Sequence, residues 1–382
     1  MKKSKELTGN IFIIERADFD ALLASLIQHK YQLIGPTVRN ATIELCEIGG
    51  TNDLPVGWTD AQNEGTYSLE KRNDKALFGF ASGQHSWKQF LHLPTVRLWK
   101  TNANGLSTES AEEEHPDRSV AFIGARSCDL HAISIQDKIF LDSLYADRSY
   151  KLRRRDVFIV AVNCTKPGGT CFCSSMKTGP KATSSFDLAL TEIINDHQHF
   201  FVTEVGTERG KEILNEIPHH AASREQVASM EELIAGASRT MGRLLNTDNI
   251  KNMLYRNYEH PRWNDVAARC LSCANCTMVC PTCFCTTIED DTSLQGDNAE
   301  RRRKWDSCFT LDFSYIHGGS VRSSVKSRYR QWLIHKLAAW IDQFGVSGCV
   351  GCGRCITWCP VGIDITKEAN AIRASEKISS TT

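Results

Sequence analysis

The spacing of apolar positions changes several times along the chain. After Asp18, apolar residues at Phe19, Leu22, Leu23, Leu26 and Ile27 recur at the interval that gives a helix one buried face; the pattern runs out near His29, with Pro36 as a breaker. Residues 37–100 are strand-like and cut by turns at Gly49-Gly50, Asn52-Asp53, Gly57 and Gly65, while 101–117, with Glu109 and Glu112 to Glu114, read as a solvated loop. Residues 119–124 (SVAFIG) form a short apolar run followed by a loop and by helical spacing over 129–142, and 155–163 (RDVFIVAVN) repeats the strand. Beyond it the pattern predicts a strand at 199–205, helical stretches at 208–217 and 224–245, and a connection over 246–265. A helix over 327–344 carries Leu333, Leu337, Trp340, Ile341 and Phe344 on one stripe, with Gly345 as its stop, and a last helix covers about 365–377. These elements predict an α+β chain: an N-terminal α/β domain over 1–246, then a mainly helical domain over 247–382.

Cysteine spacing gives the second half its chemistry. CLSCANCTMVCP and CVGCGRCITWCP both follow C-x2-C-x2-C-x3-C-P. Three cysteines at i, i+3 and i+6 wrap one face of an iron-sulfur cube, and the proline after the fourth carries that cysteine away. In two-cluster ferredoxins the fourth cysteine serves the other cluster. On that rule one 4Fe-4S cluster takes Cys270, Cys273, Cys276 and Cys359, and the other takes Cys349, Cys352, Cys355 and Cys280. Structural zinc is the competing reading, but zinc sites pair short C-x2-C hooks rather than placing four cysteines in one run. The two motifs lie too far apart for a compact ferredoxin, so helices, rather than short strands, are expected to hold the clusters. This makes the second domain ferredoxin-like in its ligands.

A further site is expected at the edge of the first domain. Cys128 follows the 119–124 strand, Cys164 ends the 155–163 strand, and the loop TKPGGTCFC brings Cys171 and Cys173. Ligands gather outside the carboxyl ends of parallel strands, and Gly168-Gly169 let the backbone fold close to a bulky group. Four converging cysteines point to a third iron-sulfur cluster or to a zinc site. Cys283, Cys285 and Cys308 are one thiol short of a full set and receive no assignment. Cys46 reads as a small core residue, His219-His220 as solvated, and the basic run 301–304 as a solvated face or a dock for an acidic partner.

Composition narrows the class. The 382 residues are 41% apolar, with Lys plus Arg equal to Asp plus Glu at 45 each, so net charge argues for neither nucleic acid nor an anionic membrane. Sixteen cysteines, mostly in tight clusters, suit metal sites in a reducing cytoplasm better than disulfides. The apolar run at 11–14 is too short for a signal peptide core, and nothing approaches the roughly 20 apolar residues of a membrane span. Neither G-x-G-x-x-G after a strand nor G-x-x-x-x-G-K-[ST] occurs. Clusters without a substrate motif describe a conductor of single electrons, with no catalytic residue of its own. A redox-responsive regulator is the competing class, and it would be expected to carry a basic recognition surface.

GARSCDLHAI, NCTKPGGTCFCSS, RCLSCANCTMVCPTCFC, KWDSC and GCVGCGRCITWCP together resemble the beta, iron-sulfur subunit of soluble NADP-linked nickel-iron hydrogenases of the sulfhydrogenase type, from Ser119 onward. The electron-transfer, iron-sulfur subunit of anaerobic sulfite reductase, a sister family, is similar. GQHSWKQFL and FTLDFSYIHGGSV resemble the hydrogenase branch more closely. The resemblance implies a cytoplasmic complex with a flavin- and NAD(P)-binding subunit, which holds the FAD and NAD(P), and with nickel-iron hydrogenase small and large subunits. In the sulfite reductase branch a sirohaem subunit would replace the hydrogenase.

Overall fold

The computed structural model describes residues 11–81, 83–101, 108–110, 118–142, 144–195, 197–295 and 298–379. The first half is built on an eight-stranded sheet. Its order is His220–Ala221, Ile11–Glu15, His199–Val205, Leu188–Ile194, Phe158–Val162, Val120–Ala125, Gln32–Arg39 and Thr42–Glu47. The strands from Gln32–Arg39 to Leu188–Ile194 run parallel, and the outer pairs are antiparallel. Every residue of Phe158–Val162 is buried, as a central parallel strand covered on both faces must be. Its side chains alternate between two layers. Phe158, Val160 and Val162 pack with Leu22, Leu26 and Ile213, whereas Ile159 and Ala161 pack with Leu130, Ile133 and Tyr150.

Pro36 does not act as a breaker. It lies inside Gln32–Arg39, opposite Leu45 of the neighbouring antiparallel strand, and the helix before it has already ended at Gln28. The parallel ladder to Val120–Ala125 covers Gln32 to Ile34 and stops before the proline, so its missing N–H leaves no gap there. The expected loop over 101–117 contains a strand, Thr108–Ser110; residues 102–107 and 111–117 lie outside the described residues.

The second half packs Ile250–Arg256, Arg262–Arg269, Val325–Ile334 and Ile365–Ser379 around Trp263, Leu333, Leu337 and Ile372. The expected connection over 246–265 therefore contains helix. The 327–344 helix continues from Val325–Ile334 through a π turn at His335–Ala339 into Trp340–Phe344, and Gly345 ends it at φ +71°. This half is less helical than its pattern suggests. Between the motifs lies the hairpin Thr286–Thr292/Ala299–Trp305, and Ala299–Trp305 pairs in turn with Thr95–Thr101 of the first half. Strand pairing thus crosses the expected division at 246. The basic run is part of that hairpin: Arg301 pairs with Asp290, Arg302 with Glu300, Arg303 with Asp147 and Lys304 with Glu289. No helix among the described residues is long and apolar enough to cross a membrane.

Candidate metal centres

Each cysteine motif folds into the same local shape. The short helices Asn275–Met278 and Arg354–Thr357 begin after left-handed residues, Ala274 at φ +65° and Gly353 at φ +77°. Two positions earlier Ser272 (φ +52°) and Gly351 (φ +64°) are also left-handed. These reversals curl the first three cysteines around a hollow, and amides point into it: Ser272 N donates to Cys270 Sγ and Gly351 N to Cys349 Sγ, both at 3.4 Å.

One hollow is lined by Cys270, Cys273, Cys276 and Cys359, and Cys355 reaches its edge. Its walls are Phe309, Tyr329, Trp332 and Ile363, and no charged side chain lines it. Cys273 is exposed, and Leu271 beside it is 63% exposed, so this hollow lies near solvent. A second hollow is lined by Cys280, Cys349, Cys352 and Cys355, with Phe172, Val350 and Lys336 in its wall. The fourth cysteine of each motif thus stands with the first three of the other.

Four of the remaining eight cysteines, Cys128, Cys164, Cys171 and Cys173, meet at the sheet edge. Val120–Ala125 and Phe158–Val162 are adjacent and parallel. Cys128 lies in the first turn of Ser127–Phe140, where the Asp129 carboxylate accepts the Arg126 N–H at 3.1 Å, and Cys164 follows the second strand. Gly169 permits the return of the loop, since a Cβ there would stand 2.2 Å from Gln62 O. Cys171, Cys173 and Cys164 lie within electrostatic reach of one another, and Cys128 lies beside Cys173. Arg126, buried, donates to Asn163 O, Phe78 O and Phe80 O and sets its positive charge against Cys164.

The edge site and the second hollow share a wall. Phe172 N donates to Gly351 O (2.8 Å), Thr178 Oγ1 to Val350 O (2.6 Å), and the Cys171 thiol to Cys352 O (3.7 Å). Arg354, inside the second motif, forms a buried ion pair with Asp129 at 3.0 Å. Cys355 lines both hollows, the first together with Cys276. The three sites form a row with the second hollow in the middle.

Burial pushes the thiols of Cys128, Cys164, Cys171, Cys276 and Cys355 up, and those of Cys173 and Cys349 up to about 12. Left to themselves such groups are inert thiols near neutral pH; a metal centre deprotonates them outright. Among the described residues no three His, Cys, Asp or Glu side chains enclose a single ion. The thiols of the double motif line two hollows walled mainly by apolar side chains, with Lys336 the one charged residue in the wall of the second, which fits bulky clusters held by thiolates.

The pattern did not single out Lys336, Lys88, Arg126 or the Arg354–Asp129 pair. Lys336 was visible as a lone cation between Leu333 and Leu337 on an apolar stripe. Its Nζ donates to Thr282 Oγ1 (3.0 Å) and Gly348 O (3.2 Å), and Lys88 Nζ donates to Cys283 O (3.2 Å). Cys283 and Cys285 lie on the stretch after the first motif, with Cys308 beside Cys285. Cys46, expected in the core, is only half-buried in the strand Thr42–Glu47, and of the two histidines His219 packs on Phe12 while His220 is exposed.

Residues 269–363 match the family model of the 4Fe-4S dicluster domain. Over 317 residues the chain is 29% identical to the sulfhydrogenase 2 subunit beta of Pyrococcus furiosus (strain ATCC 43587 / DSM 3638 / JCM 8422 / Vc1), spanning 82% of this chain and 90% of that protein. No solved structure matches. The α+β reading and the resemblance seen in the motifs are borne out: the chain carries a 4Fe-4S dicluster domain and is similar to a sulfhydrogenase beta subunit over most of its length.

Proposed function

We propose that this chain is the iron-sulfur electron-transfer subunit of a cytoplasmic H2:NADP+ oxidoreductase, standing between a nickel-iron hydrogenase module and a flavin- and NAD(P)-binding subunit. When bound, the clusters supply one-electron storage at fixed positions. Cys270, Cys273, Cys276 and Cys359 would hold one, Cys280, Cys349, Cys352 and Cys355 a second, and Cys128, Cys164, Cys171 and Cys173 a third. The observation that carries this reading is the row of three cysteine-lined sites, joined at Cys276/Cys355 and at Cys171/Cys352. In functional terms residues 1–246 would supply the edge site and 247–382 the paired sites, with the Asp129–Arg354 pair fixing one against the other. FAD and NAD(P) would belong to the partner, since neither nucleotide motif is written in this chain.

The test uses the chain purified without oxygen. Alone, it should take up electrons from dithionite but neither oxidise NADPH nor evolve hydrogen; recovered with its natural partners, the assembly should reduce NADP+ with hydrogen. Turnover by the flavin-free chain, or a natural complex without hydrogenase subunits, would contradict the proposal.

A further inference from the structure

The two hollows of the double motif come from one repeat, yet their electrostatics differ. No charged side chain lines the hollow of Cys270, Cys273, Cys276 and Cys359. The other has Lys336 in its wall. Lys336 is 3% exposed, and among the described residues no carboxylate pairs with it; its hydrogen bonds go to the neutral Thr282 hydroxyl and Gly348 carbonyl and to the Cys280 sulfur. Its charge faces Cys280, Cys283 and Cys349. Arg354 also lies beside this hollow, but Asp129 at 3.0 Å offsets it.

We propose that Lys336 is a potential-setting residue: its fixed ammonium raises the reduction potential at the site of Cys280, Cys349, Cys352 and Cys355 and leaves the other dicluster site nearly unchanged. This rests on the reading of those cysteines as 4Fe-4S ligands. Reduction there brings in one electron, from a neighbouring iron-sulfur site or a chemical reductant, and no proton, so the site gains one negative charge. A buried cation already held in place stabilises that charge without reorganisation, and net charge around a cluster is one of the terms that sets its potential. Lys336 thereby makes the middle of the row a place where an electron can rest between its neighbours.

EPR-monitored redox titration of the anaerobically purified full chain tests this with Lys336→Met, Lys336→Gln and Lys336→Arg. Met removes the charge while Thr282 and Gly348 keep each other as partners, since Thr282 Oγ1 already donates to Gly348 O at 2.7 Å. Gln keeps a polar group without charge. Both should lower one midpoint until the reduced-to-oxidised ratio at a given potential falls at least tenfold, or 59 mV for a one-electron couple. The affected signal should be the one disturbed by Cys349→Ser, and Arg should restore its midpoint. Unshifted midpoints, an upward shift, or equal shifts at both sites would overturn the proposal. So would variants that lose iron from this site alone, which would make Lys336 a structural support. If the unaltered chain bound no iron at these cysteines, the 4Fe-4S reading itself would fail, an outcome separate from a missing shift.

Discussion

The two halves of the repeated motif differ where they touch the rest of the molecule. In the first half the left-handed positions are Ser272 and Ala274; in the second they are Gly351 and Gly353. Backbone conformation is the same, so conformational strain alone does not call for glycine. Contact does. A Cβ on Gly351 would stand 2.6 Å from Phe172 O, and one on Gly353 would stand 2.6 Å from Thr170 O. The second half is pressed against the edge-site loop and the first is not. Equal spacing therefore encodes equal ligand geometry, and the glycines record which half is docked.

The largest expected effect comes from Cys359→Ala. With crossed ligation, this change in the second motif should disrupt the cluster of Cys270, Cys273 and Cys276 while the local one survives; EPR showing loss confined to Cys349, Cys352 and Cys355 would break the crossed arrangement. Next is Asp129→Ala, which strands a buried guanidinium at the joint between the halves. Removing one partner of a buried pair costs about 3–5 kcal/mol, and the apparent Tm of the anaerobic protein should fall steeply. A Tm within a degree of the parent would mean the joint does not hold the second half in place.

Smaller effects sharpen the contrast between the halves. Gly351→Ala must displace the Phe172 backbone and should destabilise by roughly 1–3 kcal/mol, the range of overpacking. Ala274→Gly relieves a left-handed alanine and should be neutral or stabilise by up to about 1 kcal/mol. Denaturation midpoints of the pair give the comparison directly. Equal losses from both would deny that docking sets the glycine pattern.

Much of this was legible in the sequence. The double motif is local, so eleven residues suffice to specify a ligand cradle. The edge site was legible less directly, through strand ends that a parallel sheet brings to one side, as Val120–Ala125 and Phe158–Val162 do. The strand pairing of Ala299–Trp305 with Thr95–Thr101 was not, because alternation along a strand carries no record of a partner so distant in the chain. Pro36 misled for a related reason: a proline forbids a donated hydrogen bond, and a strand whose ladder ends beside it asks for none. Lys336 and the Asp129–Arg354 pair escaped because periodicity reports burial of apolar residues and is blind to a charged side chain that the rest of the fold encloses.

The central claim is a row of three cluster sites, and metal analysis tests it most directly. Iron, acid-labile sulfide and zinc are measured per chain in the anaerobic full-length protein and in a Cys171→Ser, Cys173→Ser double variant. Three cubes predict about twelve irons and twelve sulfides in the first, with about four of each lost in the second while the paired clusters keep their EPR signals. About eight irons in both, or a loss of zinc in place of iron, would contradict the third cluster.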